Sequence, residues 1–197
     1  GPATTGEPER PAARSEDAAL RDWLVRLSKV ELHVHLEGAA PRSALWEIVA
    51  KYGGDDAVRT FEDLERQFVY RDFPHFLEMW TWMTGFLREH EDFTYLARAV
   101  AQDFRRQNIQ YAEVFFSPAD YSPHGLVPQR LTEAIRQGLD DVAAVEIALV
   151  ADLVRDTGPQ RAMVTLEQTA EVRDLGVVGI GIGGSEQRFP PELFEAV

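Results

Sequence analysis

The sequence predicts an α/β fold of parallel strand–helix units: the first four units of a (β/α)8 TIM-type barrel, with a helical insertion after strand one. Three observations carry this. Four short β-branched or aromatic segments stand at intervals filled by stretches of helical periodicity. The first connection is about seventy residues long, whereas a βα loop usually takes a few. The first and fourth segments end in polar or glycine-rich residues, which suit the open mouth of a barrel.

Taken in order, residues 1–18 (GPATTGEPERPAARSEDA) are rich in Pro, Ala, Gly and charge and lack the basic start and apolar run of a signal peptide. They read as a disordered leader to a domain over 19–197. The first strand is Val30 to Glu37. The insertion, about residues 39–108, supplies helices over Pro41 to Tyr52 and Pro74 to Arg88. Around the second of these cluster Phe73, Phe76, Met79, Trp80, Trp82, Met83 and Phe86, read first as packing against the sheet and second as a wall over a ligand. A helix over Glu91 to Gln107 carries the stripe Phe93, Leu96, Ala97, Val100 and Phe104. Strands follow at Tyr111 to Ser117, Glu146 to Leu153 and Val177 to Ile182. A helix over Pro159 to Leu175 carries Ala162, Leu166, Thr169 and Val172, and a last one begins at Pro190-Pro191-Glu192. Four units cannot close an eight-stranded barrel, so the rest of the barrel, or a homo-oligomeric partner, is expected to complete it.

Composition narrows the function. The 33 acidic and 20 basic residues give a formal charge of -13, and no basic block is present to track a phosphate backbone, so a nucleic-acid polymer is a poor partner. With no cysteine, thiolate nucleophiles and thiolate metal sites are excluded, and any metal must sit on His and carboxylate ligands. No apolar run is long enough to span a bilayer. A soluble, cytoplasmic protein is expected.

His33 and His35 stand two apart on a strand, so both imidazoles leave the sheet on one face, with Glu37 following. Leu32, Val34 and Leu36 are expected on the opposite, helix-covered face. Two converging imidazoles without a ligand are poorly satisfied, and neutral imidazole is a favoured zinc ligand, so the pair reads as part of a metal site rather than as two surface histidines. Gly179, Gly181 and Gly184 spell GxGxxG, but the dinucleotide fingerprint needs a helix opening at the third glycine, and SEQRFPPE intervenes. The glycines are better read as allowing close approach of a ligand to the backbone. Glu113 and Asp152 are weaker candidates, since each has a structural partner within reach, Arg155 in the case of Asp152.

KVELHVHLEGA, Lys29 to Ala39, resembles the first-strand signature of the adenosine deaminase family of the amidohydrolase superfamily. VVGIGIGGSE, Val177 to Glu186, and YAEVFFSP, Tyr111 to Pro118, are similar to its fourth and second strands. The resemblance implies Zn2+ held by His33 and His35, with Glu37 and Gly184 binding substrate: Glu37 on the sugar, and the Gly184 N–H on ring N3 of a purine. It implies hydrolytic deamination of a 6-aminopurine nucleoside to the 6-oxo product and ammonia, with water activated by zinc and the ring protonated by a Glu. The catalytic Glu and the remaining ligands belong to the family's second half, so no catalytic residue is expected in this chain and the chain alone is expected to be inactive. Glu37, Phe115 and Gly181 depart from the commonest pattern, which leaves adenine and aminodeoxyfutalosine open beside adenosine. A non-catalytic barrel binding a purine or a partner protein, and a nucleotide-dependent oxidoreductase, are the competing readings.

Overall fold

A computed structural model describes residues 16–197. The elements run α1 (Glu16–Arg26), β1 (Lys29–His35), α2 (Arg42–Lys51), α3 (Phe61–Gln67), α4 (Phe73–Thr84), α5 (His90–Arg106), β2 (Ile109–Phe116), α6 (Pro128–Asp140), β3 (Glu146–Asp152), α7 (Pro159–Ala170) and β4 (Val177–Gly181). The leader expected over 1–18 lies outside the described residues as far as 15; residues 16–18 begin α1. Among the described residues no helix is long and apolar enough to cross a membrane.

All four strands are parallel and ordered β1-β2-β3-β4, so their carboxyl ends share one edge. Alternation along β2 and β3 sorts the side chains. Ala112, Val114 and Phe116 of β2 and Leu149 and Ala151 of β3 are wholly buried beneath the helices, while Tyr111, Glu113 and Phe115 take the other face. Helix α5 lays Phe93, Leu96, Ala97, Val100 and Phe104 into this core, the stripe its periodicity predicts. Helix α6 adds Leu131, Ile135 and Leu139. The two helices meet so closely at Gly138 that a Cβ there would fall 3.0 Å from both the Ala97 Cβ and the Arg98 nitrogen, and nearer still to the Thr94 carbonyl oxygen.

The insertion is tied to the barrel layer by Asp92, only 2% exposed. Its carboxylate accepts from the Lys51 ammonium at 2.7 Å, the Tyr52 hydroxyl at 2.6 Å, and the backbone N–H groups of Arg88 and Glu89 at 2.9 and 3.0 Å. One side chain thereby caps α5 and anchors the end of α2. Burial pushes this carboxyl up, but the four hydrogen bonds outweigh it and leave Asp92 below the ordinary carboxylate range.

Two expectations need correction. The alternation assigned to β1 is interrupted: between Glu31 and Val34 the pairing with β2 slips by one residue, Glu31 facing Ala112 and Val34 facing Val114. Leu36 is wholly buried as expected, but Leu32, like Val30 on this outer strand, is 59% exposed because nothing among the described residues covers it. The helix expected from Pro190 is a short 3₁₀ turn, Pro191–Phe194, with Phe194 buried against Leu153 and Ala162.

Candidate active site

His35 ends β1 at the sheet's carboxyl edge, in register with Phe115, Val150 and Gly179 on the neighbouring strands. Two residues further along the same face, Asp152 pairs with Gly181. The sheet therefore gathers the β1 histidines, Asp152 and the glycine run at one mouth.

The two imidazoles lie close, with ring centroids 5.6 Å apart. Phe115 stacks on His33 at 4.3 Å, and Trp80 of α4 meets His35 edge-on at 5.8 Å. These aromatic contacts limit the rotation of both rings. Burial lowers the His35 pKa, the Asp152 carboxylate pulls part of that back, and His33 lowers it further. The net effect favours neutral imidazole, the form that binds a metal. The His35 Nδ1 is buried and has no hydrogen-bond partner, which fits a nitrogen available to a metal. Among the described residues no group of three or more His, Cys, Asp or Glu could hold a metal ion. The pair therefore supplies fewer than the three protein ligands typical of an open zinc site.

Glu37 follows His35 into a wholly buried position, 1% exposed. One of its oxygens accepts from the Tyr121 hydroxyl at 2.8 Å, and the other has no partner. Its carboxyl is pushed up to about 7, by burial first, partly offset by hydrogen bonds from the backbone and from Tyr121, with Asp120 raising it again. Asp120 is itself pushed up to about 6, first by burial and then by the charges of Asp152 and Asp156. Carboxyl groups thus crowd the floor of the mouth, and burial and mutual repulsion disfavour their charged forms.

The aromatic cluster around α4 divides between the core and the lining of a cavity. Met83 and Phe86 are buried in the core. At the other end, Phe76, Met79 and Trp80, with Gly38, Pro41 and Phe68, line a cavity of about 290 Å³, and Trp80 also touches His35.

Gly184, exposed and at φ +106°, lies in the loop after β4. No helix opens there, in keeping with the rejection of a dinucleotide cradle. Glu113 accepts from the Tyr111 hydroxyl at 3.0 Å, one period below Phe115 and away from the mouth. Asp152 does not pair with Arg155; it accepts from the Gly183 N–H at 2.6 Å. Sequence reasoning missed Tyr121, Asp120 and Asp156. The available signals were Ser117-Pro118 and Arg155-Asp156-Thr157-Gly158, each a turn former just past a strand's carboxyl end, where barrel sites are built.

The family model described as adenosine deaminase matches residues 28–197. Adenine deaminase of Bordetella parapertussis is 32% identical over 179 residues, covering 89% of this chain and 56% of that protein. Aminodeoxyfutalosine deaminase of Acidothermus cellulolyticus is 30% identical over 171 residues, covering 85% and 48%. Among solved structures, a zinc-bound amidohydrolase from Burkhoderia ambifaria matches with a TM-score of 0.79 at 25% identity, covering 93% of this chain and 51% of its own. N6-methyl-AMP deaminase from Arabidopsis thaliana matches with a TM-score of 0.69 at 27% identity, covering 87% and 55%. The chain thus spans about half the length of these relatives.

Proposed function

Because this chain belongs to the adenosine deaminase family, we propose that the protein it is part of hydrolyses the 6-amino group of a purine, with the free base adenine as substrate in preference to adenosine. The observation that carries the reading is the His33–His35 pair: two imidazoles on one strand end, fixed by Phe115 and Trp80, with a buried, unpartnered Nδ1 on His35. Preference for adenine draws support from the relative named adenine deaminase, 32% identical to this chain. It also draws support from Glu37, whose carboxyl is fully buried against Tyr121 rather than open to a sugar.

In this mechanism His33 and His35 hold zinc as neutral ligands. The chemistry such a metal would supply is Lewis acidity that activates water as a nucleophile near neutral pH. Phe115 covers one face of His33 and the Trp80 ring abuts His35 edge-on, so the two contacts orient the imidazoles. Glu37 and Tyr121 brace the turn that leaves β1, and the cavity beside Trp80 receives the flat face of the base. The backbone N–H of Gly184 donates to a ring nitrogen. The remaining ligands and the proton donor to the ring belong to the rest of the protein.

The test is amine release by the full-length protein before and after chelation: ammonia from adenine, adenosine and aminodeoxyfutalosine, and methylamine from N6-methyl-AMP. The expected result is turnover of adenine with kcat/KM about tenfold or more above adenosine, a difference of about 1.4 kcal/mol in transition-state binding. Chelation should abolish turnover and zinc should restore it. Failure to release ammonia from any 6-aminopurine would refute the reading and favour a non-catalytic purine-binding barrel.

A further inference from the structure

The segment leaving β3 grips the segment leaving β4. Asp152, 6% exposed, accepts from the Gly183 N–H at 2.6 Å. Four residues on, Asp156 accepts from the Ser185 N–H at 2.8 Å. Between them the Arg155 N–H donates to the Gly183 carbonyl at 2.8 Å, and its guanidinium donates to the carbonyls of Ile182 and Phe189 at 3.2 and 2.9 Å.

The glycine run is shaped around these carboxylates. A Cβ on Gly181 would stand 3.4 Å from an Asp152 oxygen and 3.0 Å from the Phe115 ring. On Gly183 it would overlap the second Asp152 oxygen and lie 3.1 Å from its Cγ. On Gly184 it would overlap an Asp156 oxygen, at a φ of +106° that L side chains rarely adopt. The glycines leave the volume that the two Asp side chains fill.

The consequence for hydrogen bonding is specific. The amides on either side of Gly184 are both taken by carboxylates, in charge-assisted bonds that are stronger than neutral ones. The Gly184 N–H makes no hydrogen bond within the described residues, and the residue is exposed. Holding the loop this way carries an electrostatic cost, since Asp120 nearby is pushed up to about 6, by burial and then by these same two charges.

Resting on the deaminase reading above, we propose that Asp152 and Asp156 are positioning residues of the site. They clamp the backbone on both sides of Gly184 so that its N–H stays unclaimed as the donor to a purine ring nitrogen. Neither carboxylate touches the substrate; both act through the peptide they hold.

The experiment uses the full-length protein with Asp156→Ala and Asp156→Asn, the position further along the chain from the strand end. Loss of one well-placed hydrogen bond should raise KM for adenine about tenfold in Asp156→Ala, with kcat and zinc content little changed. Asp156→Asn keeps an acceptor oxygen and should recover most of that loss. Amide exchange read on the wild type should find Gly183 and Ser185 slow and Gly184 fast, and Asp156→Ala should speed Ser185. An unchanged KM in an active Asp156→Ala protein overturns the inference and leaves the deaminase reading standing, as does fast exchange at Gly183 and Ser185 in the wild type. No turnover of any 6-aminopurine by the wild type overturns the deaminase reading itself and this role with it.

Discussion

Substituting Gly138 by Ala sets two well-known effects against each other. In an exposed helix the change stabilises by up to about 1 kcal/mol, because alanine is the better helix former. Gly138, however, is buried in α6 where that helix crosses α5. The new methyl would lie 3.0 Å from the Ala97 Cβ and the Arg98 nitrogen, and it would penetrate the Thr94 carbonyl oxygen so far that clearing it needs more than an ångström of movement. The obstacles are mostly backbone, and Thr94 is held in place by the hydrogen bond its hydroxyl donates to the Ala134 carbonyl at 2.9 Å. The helices must part, and a gap of 0.5–1 Å forfeits about a quarter to a half of each dispersion contact across the seam. Overpacking of this kind costs about 1–3 kcal/mol. Because the clash is with backbone, the upper part of that range applies, and the net effect after the propensity gain is a loss of about 2 kcal/mol. For a chain of this size that corresponds to a fall in Tm of about 4–8 °C. Circular dichroism melts and urea midpoints of Gly138→Ala, compared with Gln137→Ala at the adjacent exposed position, measure it. Equal or greater stability in Gly138→Ala would refute the packing argument.

Asp92→Asn should lower the urea midpoint at pH 7 by the equivalent of about 2 kcal/mol, since it removes a charge from a buried carboxylate bonded to an ammonium and two helix-capping amides. The folded Asp92 pKa is depressed, so its contribution is present above the ordinary carboxylate value of about 3.9 and is lost as pH falls through the folded one. The gap between wild type and Asp92→Asn should therefore close on acidification; a gap independent of pH would contradict it. Tyr121→Phe keeps the ring in its edge-to-face contact with Phe93 at 4.6 Å but strips Glu37 of its hydroxyl donor. It should destabilise by about 1–3 kcal/mol in thermal unfolding, and a neutral result would mean that water replaces the hydroxyl. In the full-length protein, His35→Ala should lower bound zinc, measured by elemental analysis, about tenfold or more together with kcat; retention of full zinc content would remove His35 from the ligand set.

The framework was legible because periodicity survives wherever burial is one-sided. The α5 stripe is buried at every position its spacing names, and each strand lies within about two residues of the bounds its β-branched runs suggest. The His33–His35 pair was legible for the same reason, two residues being one strand period. What could not be read depends on contacts distant in the chain. The Tyr121 hydroxyl reaches Glu37 across 84 positions, and Asp152 reaches the Gly183 amide across 31. The slip between Glu31 and Val34 leaves no local mark, since it is a property of how β1 meets β2. Residues 61–67 gave too little repetition to announce a helix, yet Thr60 and Asp63 cap one reciprocally.

The outer strands of the sheet bear on how the chain behaves by itself. Val30 and Leu32 on β1 are each 59% exposed, and Val178 and Ile180 on β4 are 64% and 45% exposed, although an all-parallel sheet is ordinarily covered on both faces. Two greasy borders whose outward backbone groups have no strand partner among the described residues are templates on which further copies can stack. The brake is the formal charge of -13, which salt weakens by shortening the reach of repulsion to about 8 Å at physiological strength. Turbidity of the isolated polypeptide should therefore grow as sodium chloride is added, and clearing on addition of salt would show that repulsion is not what keeps the copies apart.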